Sequence, residues 1–386
     1  MSSPMPYTMS PSAMLETPDV ASMLIEAPID NRNKWMNMLN KWDSQPPQPL
    51  ELYELVKEGI PCQKIRLKFW TRLLDCKDAS SRFPGLFNKL SNSKQHDEET
   101  ELYIKKDVHR TFPQFLLFAS EDSPGQKAMT KILLAYAYYD DKVGYVQGMA
   151  FLAGFLYLTV YMSHHNLNTI DDVEHFYSSN PNPNLDEDTI HEATFWLFMQ
   201  LFQHRKYSLK DVYRPGLPRL HLVTYMIDTL LRDSLPKVHQ HLENQCLVPQ
   251  AYISPFVIAL FTNRFAYSTS ALLFDMFLTD GWRVITRTMV GLIDYTKGMI
   301  LKKNTAEIIP FLYSISATLT PKELLNVSTR VKLDDKTIHS YMALYEKSLP
   351  TVERNKIAEY RRSRRKIIAA TRRSQIYTKV LDTLQL

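Results

Sequence analysis

The sequence predicts an all-α protein, and three observations carry that prediction. Glycine is scarce, with 10 residues in 386. Sheet-rich folds draw on glycine for hairpin turns and bulges, so the shortage favours helices. Apolar residues recur at helical spacing, as in Ile65, Phe69, Trp70, Leu73 and Leu74. No stretch sustains strand-like alternation, and no repeat period is present.

Taken in order, residues 1–30 are rich in Ser, Pro and Met, low in charge and without periodicity, and are expected to be disordered. They lack the basic start and sustained apolar core of a signal peptide. Residues 31–54 are a lead-in: a short helix over Asn31–Trp42, then the extended linker Ser44-Gln-Pro-Pro-Gln-Pro49. Gly59-Ile-Pro61 is a turn. Residues 78–99 are polar and expected to be loop, with room for a short helix. Leu102–Arg110 reads as a helix that stops before Pro113, because the residue preceding proline is biased out of the helical region. Asp107 and Arg110 then sit at i,i+3, close enough to interact.

Gly125–Tyr139 is strongly helical, Asp140-Asp-Lys-Val-Gly144 is a turn, and the next helix begins around Gln147. Residues 163–188, with Asn180-Pro-Asn-Pro-Asn184, are expected to form a long loop. Further helices are expected at 190–206, 216–233, 248–263, 268–279, 282–301 and 305–316. Residues 316–386 are read as a helical extension ending in one long basic helix over 352–384.

Composition narrows the class. Hydrophobic content of 45% and charged content of 23% suit a soluble globular protein. Cys62, Cys76 and Cys246 show no pairing or metal-ligand spacing and read as reduced thiols of a cytosolic protein. Tyr145–Met162 carries no formal charge over 18 residues, the lower length for a membrane span. Its Gln147, two glycines and three tyrosines, with the polar Ser163-His-His-Asn run behind it, favour a buried core helix.

His239, His241 and Cys246, with His221 upstream, do not match a structural zinc spacing. There is no Gly-rich phosphate loop. Residues 354–373 hold nine Lys or Arg against Glu359 and carry +8, leaving the remainder at −3. Three readings of that segment stay open: a solvated helix, an anionic membrane surface, or nucleic-acid binding or nuclear import. Sparse aromatics, Tyr360 and Tyr377, argue against a nucleic-acid stacking platform.

Two short segments hold the chemistry. Ile104-Lys-Lys-Asp107-Val-His-Arg110-Thr-Phe-Pro113 offers a cation, and Gly144-Tyr145-Val-Gln147-Gly148-Met149 a neutral amide. Either residue alone is ordinary. Together they suit GTP hydrolysis, in which an arginine neutralises charge on the transferred phosphoryl group and a glutamine holds the attacking water. Both segments resemble the I-x-x-D-x-x-R and Y-x-Q signatures of the TBC domain, the family of GTPase-activating proteins for Rab-type small GTPases. Leu55-Val-Lys-Glu-Gly-Ile-Pro61, with Arg66 and Trp70, looks like that domain's opening. Ala271-Leu-Leu-Phe274-Asp275 falls at its R-x-W-D segment.

The resemblance covers residues 55–315 and implies a two-lobed helical TBC-type fold. It implies that Arg110 and Gln147 act in trans on a Rab-family GTPase, supported by Asp107, Tyr145, Arg66 and Trp70. GTP and Mg²⁺ would belong to the partner, with no cofactor or metal of the chain's own. The implied location is cytoplasmic, peripheral on endomembranes if residues 354–373 meet anionic lipid. Phe274 stands where the family tends to have Trp, Leu272 where it has Arg, Leu67 where glycine often follows Arg66, and Ala150 where Asn or Ser is frequent. These departures motivate an alternative: a catalytically weak scaffold that binds a GTPase or trafficking partner.

Overall fold

A computed structural model describes residues 29–93, 98–179, 187–352, 354 and 362. Chain contacts divide it into one unit ending at Lys332 and another beginning at Leu333. Within the first unit the helices are α1 (Ile29–Lys41), α2 (Pro49–Lys57), α3 (Gln63–Leu73), α4 (Cys76–Arg82), α5 (Leu86–Ser91) and α6 (Glu98–His109). A 3₁₀ turn at Leu116–Phe118 follows, then α7 (Pro124–Tyr139), α8 (Met149–His164), α9 (Ile170–Ser179), α10 (Glu187–Gln203) and α11 (Lys210–Tyr213). Next come α12 (Pro218–Ser234), α13 (Pro236–Asn244), α14 (Pro249–Val257), α15 (Tyr267–Asp280), α16 (Trp282–Ile300), α17 (Thr305–Thr318) and α18 (Pro321–Arg330). The second unit contains α19 (Asp335–Ser348). No strand occurs among the described residues.

Proline starts many of these helices. Pro49, Pro124, Pro218, Pro236, Pro249 and Pro321 each lie in a first turn, where the missing N–H has no intrahelical acceptor anyway. Capping boxes at Asn304/Glu307 and Thr320/Glu323 fix the starts of α17 and α18.

α8 is the axis of the first helix group. It is apolar on all sides, with Leu152, Phe155, Leu156, Val160 and Tyr161 buried, and α3, α6, α7 and α10 surround it. This is the core helix that the sequence predicts; no described helix is long and apolar enough to cross a membrane. A second group gathers on α16, which packs against α12, α15 and α18. At Gly291 the α16 backbone comes so near α18 that a Cβ would lie 2.2 Å from the Val327 carbonyl oxygen. α15 joins the groups by packing on α2 and α3 as well. The lead-in helix is fastened too: Trp35 Nε1 donates to the Gly59 carbonyl at 3.0 Å, and its ring meets Phe69 edge-on.

Several elements differ from expectation. Residues 78–99 hold most of α4 and all of α5, two short helices where loop with room for one was expected. α9 lies inside the expected loop at 163–188. Its start is capped by Asp172, which accepts from the Asn168 and Thr169 amides while the Thr169 hydroxyl accepts from the Asp172 amide. α13 was not anticipated. Within it, His239 faces Asp228 at 3.1 Å and His241 meets the Lys303 carbonyl at 2.9 Å. α14 ends at Val257 because Leu260 and Phe261 adopt positive φ (46° and 64°), which turns the chain where continuous helix was expected. Residues 180–186 and most of the expected 352–384 helix lie outside the described residues.

His191 on α10 is 1% exposed, and neither ring nitrogen has a hydrogen-bond partner among the described residues. Burial, assisted by Lys131, lowers its pKa to about 4. The unfolded chain, with an imidazole near ~6.5, takes up a proton that the folded chain refuses. Stability should therefore fall as pH drops from ~6.5 towards ~4, by at most about 3 kcal/mol from this group. His191→Leu should flatten that part of a denaturation-versus-pH curve. An unchanged slope would show that His191 does not control it.

Candidate functional site

The end of α6 places Arg110 at the surface. α6 stops at His109, and the next residues are anchored inward. Thr111 is fully buried, and its hydroxyl donates to the Asp107 carbonyl at 2.7 Å. Phe112 adopts φ 53° and packs its ring against Phe115, Phe118 and Phe151. Gly154 makes room for that ring, since a Cβ there would lie 3.1 Å from it. The chain thus reverses immediately after Arg110, leaving its side chain 49% exposed.

Asp107, one turn earlier, holds the guanidinium: Arg110 Nε and Nη2 donate to Oδ1 at 2.9 and 2.5 Å. Its other oxygen, Oδ2, accepts from the Tyr145 hydroxyl at 2.5 Å. One carboxylate therefore ties together two segments far apart in sequence. Burial, then the bond to Asp107, raise the Tyr145 hydroxyl far above its ordinary pKa. It is a neutral donor rather than a base.

Gln147 sits on a turn fixed at both ends. The Gly144 amide donates to the Asp140 carbonyl at 2.7 Å, closing the turn after α7. Gly148, the N-cap of α8, has φ 103°, and a Cβ on it would lie 2.3 Å from Ile258 Cγ2. Only glycine satisfies both constraints. Gly148 and Met149 are buried, whereas Gln147 is exposed. Arg110 and Gln147 line one open cleft of about 570 Å³, together with Asp107, Tyr145, Tyr103 and Lys106. The cleft presents a guanidinium and an amide, so it can neutralise an anion and orient a water. Among the described residues no group of His, Cys, Asp and Glu is arranged to hold a metal.

The profile of the family described as Rab-GTPase-TBC domain matches residues 63–301, more than half of the chain and the span that contains this cleft. The chain belongs to the Rab-GTPase-TBC domain family. It is 28% identical over 268 residues to the Rab GTPase-activating protein tbc-11 of Caenorhabditis elegans, covering 69% of this chain and 25% of that protein. It is 22% identical over 358 residues to the human ecotropic viral integration site 5 protein homolog, covering 91% of this chain and 39% of that one. The chain thus spans well under half the length of these relatives. Its fold resembles the crystal structure of the Ypt/Rab-GAP domain of Gyp1p, with TM-score 0.66 at 18% identity, covering 82% of this chain and 99% of that one.

The TBC domain's opening segment lies away from the cleft. Arg66 and Trp70, expected as supporting residues, are brought together with Asp275 of α15. Arg66 Nε donates to Asp275 Oδ2 at 3.1 Å, and Trp70 Nε1 donates to Oδ1 at 2.7 Å. The second Arg66 contact runs to Gln63 Oε1 at 2.8 Å, and Gln63 also accepts from the Tyr267 hydroxyl. Asp275 is fully buried. Burial pushes its carboxyl up to about 6, with Arg66 opposing. Phe274, in the family's Trp position, packs edge-on against Trp70 at 4.6 Å and against Phe155 of α8 at 5.4 Å.

Sequence reasoning missed Asp275, Gln63 and Tyr267 as parts of one network. The available signal was a lone acid in the apolar run Ala271–Phe277, which needs a buried partner. Asp275→Ala should destabilise the domain by about 3–5 kcal/mol, because Arg66 would be left buried and unpaired. The double variant Arg66→Leu/Asp275→Leu should cost less than the sum of the single variants in urea denaturation. Simple additivity would mean that the pair is not coupled.

Proposed function

We propose that this chain is a GTPase-activating protein for a Rab-type small GTPase, with Arg110 and Gln147 acting in trans. One observation carries the reading: two exposed polar side chains share a cleft, each held by backbone that admits little freedom. Family membership and the likeness to the Rab GTPase-activating protein tbc-11 of Caenorhabditis elegans support it. Arg110 neutralises charge growing on the transferred phosphoryl group, and its planar fork spans two oxygens where a lysine would offer a point charge. Gln147 holds the attacking water in line. Asp107 and Tyr145 position these groups rather than take a proton. GTP and Mg²⁺ belong to the partner.

Phe274 packs against Trp70 and Phe155 and does not line the cleft, so the departure that motivates a non-hydrolytic scaffold leaves Arg110 and Gln147 together. The test is single-turnover hydrolysis across a panel of Rab-type GTPases. Arg110→Ala and Gln147→Ala should each lower stimulated hydrolysis at least about tenfold, towards the ~10³–10⁵ that a supplied arginine is worth. Arg110→Lys should not restore the rate. Near-normal stimulation by an Arg110→Ala protein with intact circular dichroism would overturn the mechanism.

The reading also carries a location: cytoplasmic, with the +8 segment at 354–373 drawn to anionic endomembranes. Apart from Arg354 and Arg362, that segment lies outside the described residues. Removing residues 350–386 should weaken binding to anionic liposomes, in a salt-sensitive way, while hydrolysis in solution is little changed. Liposome binding unaffected by the deletion would count against it.

A further inference from the structure

We propose that Tyr103 and Lys106 form a second contact for the GTPase, a specificity surface that takes an acidic, apolar-flanked protein segment. The proposal rests on the reading above. Residues 103, 106 and 107 share one face of α6 at i, i+3 and i+4, Arg110 follows directly after the helix ends at His109, and all four line the cleft. At ~1.5 Å per residue, Tyr103 lies about 10 Å along the helix from Arg110.

The charges on this helix are unevenly satisfied. Asp107 is engaged by Arg110 and Tyr145. Lys105 pairs with Glu101 at 2.8 Å. Lys106 is exposed and has no carboxylate partner among the described residues; its ammonium stands 5.9 Å from the Tyr103 ring centre. Tyr103 is 55% exposed, and its neighbour Leu102 52%. An open cleft thus continues from the arginine into a cation beside exposed aromatic and aliphatic surface.

The exposed Lys106 ammonium calls for a carboxylate on the GTPase rather than for its nucleotide. Arg110 already meets the phosphates at the other end of the cleft. The ring of Tyr103 contributes by removing apolar protein surface from water, which a phosphate does not offer. Contacts of this type set recognition and encounter rate more than chemistry.

The experiment varies the concentration of the Rab-type GTPase that responds best in the panel, using the full chain. Lys106→Glu should raise KM about tenfold or more with kcat held within about twofold. Lys106→Gln should raise KM less and make kcat/KM less sensitive to salt. Tyr103→Ser should raise KM without altering the salt response. A fall in kcat at unchanged KM would place Lys106 on the phosphoryl group, and unchanged kinetics would make both residues a solvated face; either overturns the proposal. Arg110→Ala, run alongside, reports on kcat, so failure of this surface is separable from failure of the mechanism. A panel in which no GTPase responds to the wild-type chain would remove the underlying reading and this surface with it.

Discussion

A helix that lacks a polar face has to be enclosed on every side, and α8 imposes that demand on the rest of the chain. Its buried residues run along its whole length, and α3, α6, α7 and α10 meet it from different directions. Removing such a helix from water is worth roughly 1.5–3 kcal/mol for each large apolar side chain, before the entropy of ordering is set against it. The cleft inherits its position from this enclosure. Gln147 precedes the first turn of α8, Arg110 follows a helix packed on α8, and Phe155 joins the aromatic cluster around Trp70.

Within that frame, the Asp107 carboxylate sets the local order. An exposed i,i+3 ion pair alone contributes little to stability, typically below about 1 kcal/mol. Here the second oxygen is engaged by a half-buried tyrosine from the other motif. The arginine therefore has a preferred orientation without being buried, and it stays available to an incoming anion. A largely buried guanidinium, such as Arg66, is instead committed to its acid.

The helical class was legible because apolar spacing and proline placement are local signals. Arg110 and Gln147 were legible because two motifs resemble those of a known family. Other features depend on geometry that spacing does not encode. The left-handed turn at Leu260 and Phe261 interrupts an apolar run that reads as continuous helix. α9 was hidden in a polar stretch, although Thr169-x-x-Asp172 is a start signal that could have been read. The Arg66–Asp275 pair spans most of the domain in sequence, so each residue looked like an isolated motif member. Lys106 and Tyr103 were passed over because exposure is a property of the fold.

The contact between Gly148 and Ile258 has a consequence for sequence drift. A side chain at 148 would collide with Ile258 even if the backbone tolerated one. The constraint is mutual: the turn after α14 can accept smaller residues at 258 and leave a gap, but a bulkier one would press on the start of α8. Heritable change at 258 is thus capped by the geometry of the turn that carries Gln147, although Ile258 does not itself line the cleft. Substitutions at such a position would look neutral by chemistry and damaging by volume, so size, rather than polarity, is the property to follow there when homologues are compared.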